Sequence, residues 1–527
     1  MTREELATST PDQLIDRVLV TQGEIERERA QRAQVQARLE EVEHQLRWLR
    51  QQLFGKKSER RIPEPGSTQL CLGESLAPTT ETPVSETPVR GHVRRTRPTE
   101  DETDDSGLRF DDSVPMKTIE IPNPELEGLA EHDRVEISEK ISYRLCQEPA
   151  SYVVLRIVRK VIKRRDTGAL SCSPAPPAVL EKSFADVSLL AGILVDKFRY
   201  HLPLYRQHQR LEAAGISICR ASLTSWVSQS ISLLEPIYHA QMGSILTSKV
   251  LAMDETPIRA GRKAKGKMRT GYFWPVYGDA HEVAFPYASS RSRQHVSEIL
   301  GSYCGTLLSD GFDAYEHYVE HRQGMVHALC WVHARRGFVK AQDVEPDRVE
   351  TALEWIRKLY EAEAEIRRRE LEGEAKLRAR SEHCRPLVEY FFTWLEKELV
   401  FSALLPKNPF TQAAVYARER RKGLEVFLTD PDVPLDTNHL ERALRVIPMG
   451  RKNWLFCWTE VGAKQVGHIQ SLITTCVLHD VDPYTYLVDV LQRIDRHPRS
   501  QVAQLTPRLW NQHFGHAPLR SLLASAS

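Results

Sequence analysis

The chain has almost no net charge: 72 Lys and Arg stand against 71 Asp and Glu in 527 residues, for a formal charge of +1. Global charge therefore points neither toward nor away from nucleic acid, and any such reading must rest on local clusters. No stretch approaches ~18 consecutive apolar residues, so no membrane span is expected. The opening residues, MTREELATSTPDQ, lack an apolar signal-peptide core. The nine cysteines are scattered, odd in number and contain no C-x-x-C, which argues against a disulfide framework and for a reduced, cytoplasmic setting. What remains is a chain that is 41% hydrophobic, enough for real cores, and long enough for about three or four domains at ~150 residues each.

Residues 1–56 are expected to form an oligomerising coiled coil. Leu14, Val18, Thr21 and Ile25 open an alternating four-three seam. Glu28 and Arg32 interrupt it, and it then runs unbroken from Val35 to Leu53. The alternative is a helix packed on its own protein. Residues 57–107, rich in Pro, Thr, Ser and Glu, read as a flexible linker. Residues 108–182 read as β-rich: 116–121 and 135–143 alternate, and Tyr152–Ile162 is a β-branched run. Its basic residues Arg156, Arg159, Lys160, Lys163, Arg164 and Arg165 form either a DNA-contacting edge or a solvated face. Residues 183–247 switch to helical periodicity. Pro203 opens one helix, Gly215 makes a turn, and Ser222 or a neighbour caps the next. This suits a helix-turn-helix with Arg220 and Thr224 early on a recognition-type helix, or else a plain helical hairpin.

From Lys249 the pattern becomes α/β. Strand Val250–Asp254 is followed by a basic loop, Arg259–Arg269. A hairpin then folds about Gly278–His281, and a helix covers Ser292–Tyr303. Strand Thr306–Asp310, a short helix, strand Met325–Cys330 and a helix from Trp331 complete the run. Three antiparallel strands followed by parallel ones describe a ribonuclease-H-like sheet. The expected divisions are a first core part (248–345), a helical insertion (346–429), a Glu-bearing helix (430–460), and C-terminal helices with a tail (461–527).

Three carboxylates stand out. Asp254 and Asp310 each end a short apolar strand, and Glu441 lies in the helical pattern Asp436–Arg442. Each has an ordinary role open to it: a strand-end cap, an Asx turn before Gly311, an ion pair with Arg445. Together they offer hard oxygen ligands suited to Mg²⁺ or Mn²⁺, and two such ions ~3.5–4 Å apart can run in-line attack at a phosphodiester. In that arrangement Asp254 bridges two ions, Asp310 holds one and Glu441 the other. Arg442, Arg445, Arg451 and Lys452 follow Glu441 and suit phosphates. Trp454 and Trp458 suit base stacking or core packing. His327, Cys330 and His333 offer no fourth ligand, so zinc is not expected. A Cys330–His333 pair is expected instead, with His333 bonding the scissile phosphate and Arg335 and Arg336 holding flanking DNA.

The chain resembles the large transposase of the bacterial insertion-sequence-sixty-six family from its N-terminus to about residue 495. The motifs are LRQQLFGKKS (Leu49–Ser58), KFRYHLPLYRQ (Lys197–Gln207), DETP (Asp254–Pro257), DGFDAY (Asp310–Tyr315) and CWVHARR (Cys330–Arg336). DTNHLER (Asp436–Arg442), GRKNW (Gly450–Trp454) and SLITT (Ser471–Thr475) complete the set. The resemblance implies a DDE-type enzyme of ribonuclease-H-like fold with its acidic triad at Asp254, Asp310 and Glu441. It implies divalent metal, recognition of element ends, and joining of 3′ ends to target DNA near the bacterial nucleoid. It also suggests small accessory proteins, while the coiled coil suggests a homodimer or higher assembly. The rivals are a domesticated, non-catalytic DNA-binding protein and a ribonuclease-H-like hydrolytic nuclease. Two departures stand out: isolated Cys146 and Cys172 replace the family's paired C-x-x-C, and its Asp-Asn-Asn reads Asp436-Thr437-Asn438.

Overall fold

The computed structural model describes Gln22 and residues 108–525, apart from 125–133, 149–150, 166, 265–266, 402–403, 455–456 and 458. Apart from Gln22, the expected coiled coil and the linker after it lie outside the described residues. Residues 101–340 with 347–527 belong to one compact unit, which carries the site.

Its N-terminal part is β-rich. Strands β1 (Arg109–Phe110), β2 (Met116–Glu120), β3 (Arg134–Glu148), β4 (Ser151–Arg164) and β5 (Leu170–Cys172) precede the first long helices. β3 and β4 form a long antiparallel hairpin, with β2 parallel to β4 on its other side. Val153, Leu155 and Ile157 alternate along β4 and pack with Cys146 and Leu523, so the C-terminal tail closes this sheet. The basic run is partly spent within the protein. Lys160 reaches Glu136 at 3.3 Å, and an Arg159 guanidinium nitrogen donates to the Ser173 carbonyl at 3.0 Å.

Three helices follow: α1 (Val187–Phe198), α2 (Leu204–Ala213) and, after the short strand β6 (Ile216–Ser217), α3 (Arg220–Ile245). Asp186 caps α1 by accepting from the Ser188 amide at 2.8 Å. The turn after α2 needs Gly215, whose φ is +81° and whose missing Cβ would collide with the Asp111 carboxylate. Cys219, not Ser222, stands at the N-cap of α3. At its far end α3 belongs to the core: the Gln241 side-chain amide donates to the Val283 carbonyl at 2.8 Å and to Thr475 at 2.9 Å.

The central sheet has five strands in the order β11-β10-β7-β13-β14. These are β7 (Val250–Met253), β10 (Val276–Gly278), β11 (Val283–Ala284), β13 (Thr306–Ser309) and β14 (Val326–Leu329). β10 runs antiparallel to both β7 and β11, whereas β7, β13 and β14 run parallel. β7 and β13 are buried along their whole length, as unbroken apolar runs should be. Leu251, Met253 and Leu307 pack against Val296 and Leu300 of α4 (Arg293–Leu300) and Tyr315 and Tyr318 of α5 (Asp313–Glu320).

The expected basic loop at Arg259–Arg269 is instead a hairpin of β8 (Thr256–Ala264) and β9 (Lys267–Phe273), with β12 (Tyr287–Ala288) added to β9. Thr256, Ile258 and Ala260 are buried while Pro257 and Arg259 are exposed. That is a strand's two-residue period, masked in the sequence by the density of charge.

Helix α6 (Trp331–Lys340) follows β14. A helical segment then runs through α7 (Pro346–Arg368), α8 (Gly373–Ala379), α9 (Arg385–Phe401), α10 (Pro409–Glu419) and α11 (Arg421–Glu425). Buried Arg380 fastens it, forking onto Glu363 at 2.7 and 3.0 Å and donating to the Phe427 carbonyl at 2.7 Å. The chain returns to the sheet through α12 (Asn438–Leu444) and α13 (Val446–Trp454). α14 (Glu460–Leu478) then packs against α3 and β11, and α15 (Pro483–Arg493) follows. Among the described residues no helix is long and apolar enough to cross a membrane.

Candidate active site

β7 and β13 are parallel neighbours, so the residues after them emerge side by side at one edge of the sheet. Asp254 and Asp310 are those residues. One carboxylate oxygen from each, with one from Glu255, lie within 4.8 Å of one another. Burial first, then the charges of Glu255, Asp310 and Glu441, push Asp254 up to about 7.

Glu255 is the member that the sequence reading passed over. Its side chain is only 5% exposed. Tyr315 donates its hydroxyl to one carboxylate oxygen at 2.7 Å, and Arg291 Nε donates to the other at 2.8 Å. The Arg291 guanidinium lies 3.8 Å from the Phe312 ring centroid, which fixes its direction. Tyr315 and Phe312 belong to DGFDAY, so this network joins that motif to DETP. Adjacency to Asp254 was the available signal for Glu255. Nothing local marks Arg291, which lies 36 residues away.

Asp310 fills its ordinary role and keeps its place at the site. Its Oδ1 accepts from the Phe312 amide at 3.0 Å, an Asx turn. Gly311 has φ +82°, and a Cβ there would stand 2.8 Å from Arg420 Nε. The Tyr416 hydroxyl donates to the Asp310 carbonyl, so α10 steadies the loop from the helical segment.

Glu441 comes from α12. The Asp436 carboxylate accepts from the Asn438 amide at 2.9 Å, organising the turn before the helix. Buried Cys330 docks it: the Thr437 amide and hydroxyl donate to the Cys330 sulfur at 3.3 and 3.2 Å. The expected pairing of Cys330 with the His333 ring is not seen: the thiol accepts from Thr437, and the His333 amide, not its ring, lies against Cys330. The Glu441 carboxylate lies 3.4 Å from the Arg336 guanidinium and 3.9 Å from His333 Nε2. Burial lowers the His333 pKa and favours the neutral ring, while nearby Asp310 and Glu441 pull the other way. His327 bonds Ser309 at 2.8 Å, so His327, Cys330 and His333 have three separate partners.

The remaining basic residues scatter. Arg335 and Arg336 are exposed on α6. Arg291, Asp310, His333, Arg336 and Lys340 line one open cavity of about 690 Å³ beside the acids. The Arg451 guanidinium donates to the carbonyl of Pro257, the last residue of DETP. Arg445 and Lys452 are exposed, and Arg442 lines a different cavity. The side chains of Trp454 and Trp458 lie outside the described residues. Arg220 and Thr224 are exposed on the first turns of α3, with Arg220 5.7 Å from the Tyr205 ring centroid.

Residues 182–465, more than half of the chain, match the family described as "Transposase IS66 family". Residues 471–508 match the "IS66 C-terminal element", and 41–105 match "Transposase C of IS166 homeodomain". The chain belongs to the IS66 family of transposases. It is 30% identical over 498 residues to the uncharacterized protein y4hP of Sinorhizobium fredii, covering 89% of each chain. Two more uncharacterized proteins of that organism are similar. One is y4jD, 30% identical over 68% of this chain and 72% of the relative. The other is y4qI, 28% identical over 72% of each.

Proposed function

We propose that this protein is a DDE-type DNA transposase that cleaves the ends of its element and joins the freed 3′ ends to target DNA. The observation that carries the reading is the meeting of Asp254 and Asp310 at adjacent strand ends, with Glu441 on α12 3.9 Å from His333, which shares a cavity with Asp310. Sheet order and strand direction support a ribonuclease-H-like core, with the helical segment 346–429 as its insertion. The match of 41–105 to a segment described as a homeodomain supports double-stranded DNA as the partner.

Hard carboxylate oxygens of Asp254, Glu255 and Asp310 gathered within 4.8 Å fit Mg²⁺ or Mn²⁺. Asp254, Asp310 and Glu441 would hold the ions, which supply Lewis acidity to the attacking and leaving oxygens of a phosphodiester. Glu255 stays with Tyr315 and Arg291 and sets the direction of the strand end. His333 stands beside Glu441 to bond a phosphate oxygen. Arg335, Arg336, Arg445 and Lys452 present exposed positive charge for the backbone, and Arg451 steadies the end of DETP at Pro257.

The test uses the purified full chain and labelled duplexes bearing the element's end. Asp254→Asn, Asp310→Asn and Glu441→Gln are each expected to lose cleavage and strand transfer while keeping end binding. Normal joining by any of them sinks the assignment. Cleavage by the wild type without strand-transfer products makes it a hydrolytic nuclease instead.

A further inference from the structure

A second cavity, of about 730 Å³, is bounded by β7, β10, α7, α8 and α12, and neither Asp254, Asp310 nor Glu441 lines it. On β7 it takes Val250 and Ala252, whereas Leu251 and Met253 pack into the core on the opposite face. On α12 it takes His439 and Arg442, three residues apart on one side of the helix.

The four acids at its wall are already engaged. Glu363 is forked by Arg380, and Asp436 caps Asn438. Asp432 pairs with Lys249 at 3.2 Å, and Asp279 accepts from the Lys249 amide at 2.8 Å. The three cations there, Arg367, Lys376 and Arg442, make no ion pair or side-chain hydrogen bond among the described residues. Burial, followed by repulsion from Arg380, lowers the Lys376 pKa against the opposing pull of Glu363 and Asp432. With Glu363 and Asp432 ion-paired to Arg380 and Lys249, the three cations exceed the remaining carboxylates, Asp279 and Asp436, by one, so the balance of charge in this cavity is positive. Its walls also carry flat rings. Tyr277 and His439 meet edge to face at 4.7 Å, and the Tyr360 hydroxyl is buried near Asp436 without a hydrogen bond of good geometry. Cavities of about 300–1,000 Å³ are the size that small organic ligands fill.

We propose that this cavity is a nucleotide site, taking a phosphate on Arg367, Lys376 and Arg442 and a base against Tyr277, Tyr360 and His439. The nucleotide is either free or an unpaired residue of a DNA strand, because both present the same phosphate and ring. The site does not depend on the acidic cluster, so its fate is separable from the proposed function.

Equilibrium dialysis of the full chain against dAMP, inorganic phosphate and a short single-stranded oligonucleotide tests it. Saturable dAMP binding is expected, with phosphate at least tenfold weaker. The double variant Arg367→Ala, Lys376→Ala is expected to lose at least tenfold in dAMP affinity with its melting temperature kept, and Tyr360→Ala to lose affinity for dAMP but not for phosphate. Asp254→Asn is expected to bind dAMP as the wild type does. Competition by the oligonucleotide assigns the site to DNA, and its failure to compete assigns it to free nucleotide. No saturable binding of dAMP or oligonucleotide up to millimolar concentration, or equal binding by the double variant, overturns the proposal. So does phosphate binding as tightly as dAMP.

Discussion

The Tyr315 hydroxyl donates to the Glu255 carboxylate at 2.7 Å across 60 residues of sequence. Tyr315 is fully buried, and burial, ahead of the neighbouring acids, raises its pKa well above the usual phenol value. It is therefore a donor at every working pH, and Glu255 is its acceptor. This bond, with Arg291 on the other carboxylate oxygen, ties the loop after β7 to the start of α5.

Tyr315→Phe removes that donor and leaves a nearly buried carboxylate oxygen unsatisfied. A hydrogen bond to a charged group contributes about 1.5–3 kcal/mol, so a loss of that order in urea denaturation is expected. Strand cleavage is expected to fall at unchanged end affinity, because the strand end carrying Asp254 loosens. Unaltered stability and activity together argue against the tie.

Asp254 makes stability depend on pH. Its folded-state pKa, about 7, lies above the ordinary carboxylate value, so the fold favours the neutral acid. That contribution is complete below pH ~4 and is lost as pH rises through ~7. In chelator, Asp254→Asn is expected to be more stable than wild type at pH 8, by on the order of a few kcal/mol, and nearly equal at pH 4. Thermal melts at the two pH values check this. A variant with the same pH slope as wild type would show that Asp254 titrates normally.

Mg²⁺ or Mn²⁺ is expected to raise the melting temperature of the wild type at pH 8, where Asp254 is ionised, and to have much less effect on Asp310→Asn. The shift should saturate with metal concentration, following mass action. An identical shift in the variant places the ion elsewhere.

Cys330→Ala strands the Thr437 amide and hydroxyl in a buried setting, at about 1–3 kcal/mol. Cys330→Ser keeps an acceptor and should recover part of it. Because Thr437 leads directly into α12, metal affinity should fall with stability in Cys330→Ala. Wild-type metal affinity in a destabilised Cys330→Ala shows that Glu441 is held by other contacts.

The Arg380–Glu363 pair is almost wholly buried, with side chains 1% and 8% exposed. Removing one partner of such a pair typically costs about 3–5 kcal/mol, so Arg380→Leu is expected to unfold the helical segment first. Limited proteolysis within residues 346–429 reports it. The double change Arg380→Leu, Glu363→Leu should regain much of the loss.

Local chemistry made the sheet legible. Val250–Met253 and Thr306–Ser309 are short apolar runs that stop at an Asp, and burial on both faces is the only stable use of such runs. The hairpin about Gly278–His281 and the helices at Arg293 and Trp331 follow the same logic of period and turn. The β8–β9 hairpin was hidden because the charged residues on its exposed face outweighed a weak alternation of Thr, Ile and Ala. The N-cap of α3 falls on Cys219, three residues before Ser222, and makes no side-chain cap bond, so no cap residue marks it in the sequence.

By itself the sequence determined where strands end, which acids stand at those ends, and that a helix carrying Glu441 must come from far along the chain. Only the tertiary structure decided that Glu255 joins Asp254 and Asp310, that Cys330 serves Thr437, and that Arg442 turns to a separate cavity. Those outcomes depend on distances between segments far apart in the chain, 107 residues in the case of Cys330 and Thr437. Periodicity and turn chemistry act over a few residues, whereas side-chain partners are chosen by whichever elements the fold brings within about 3–4 Å.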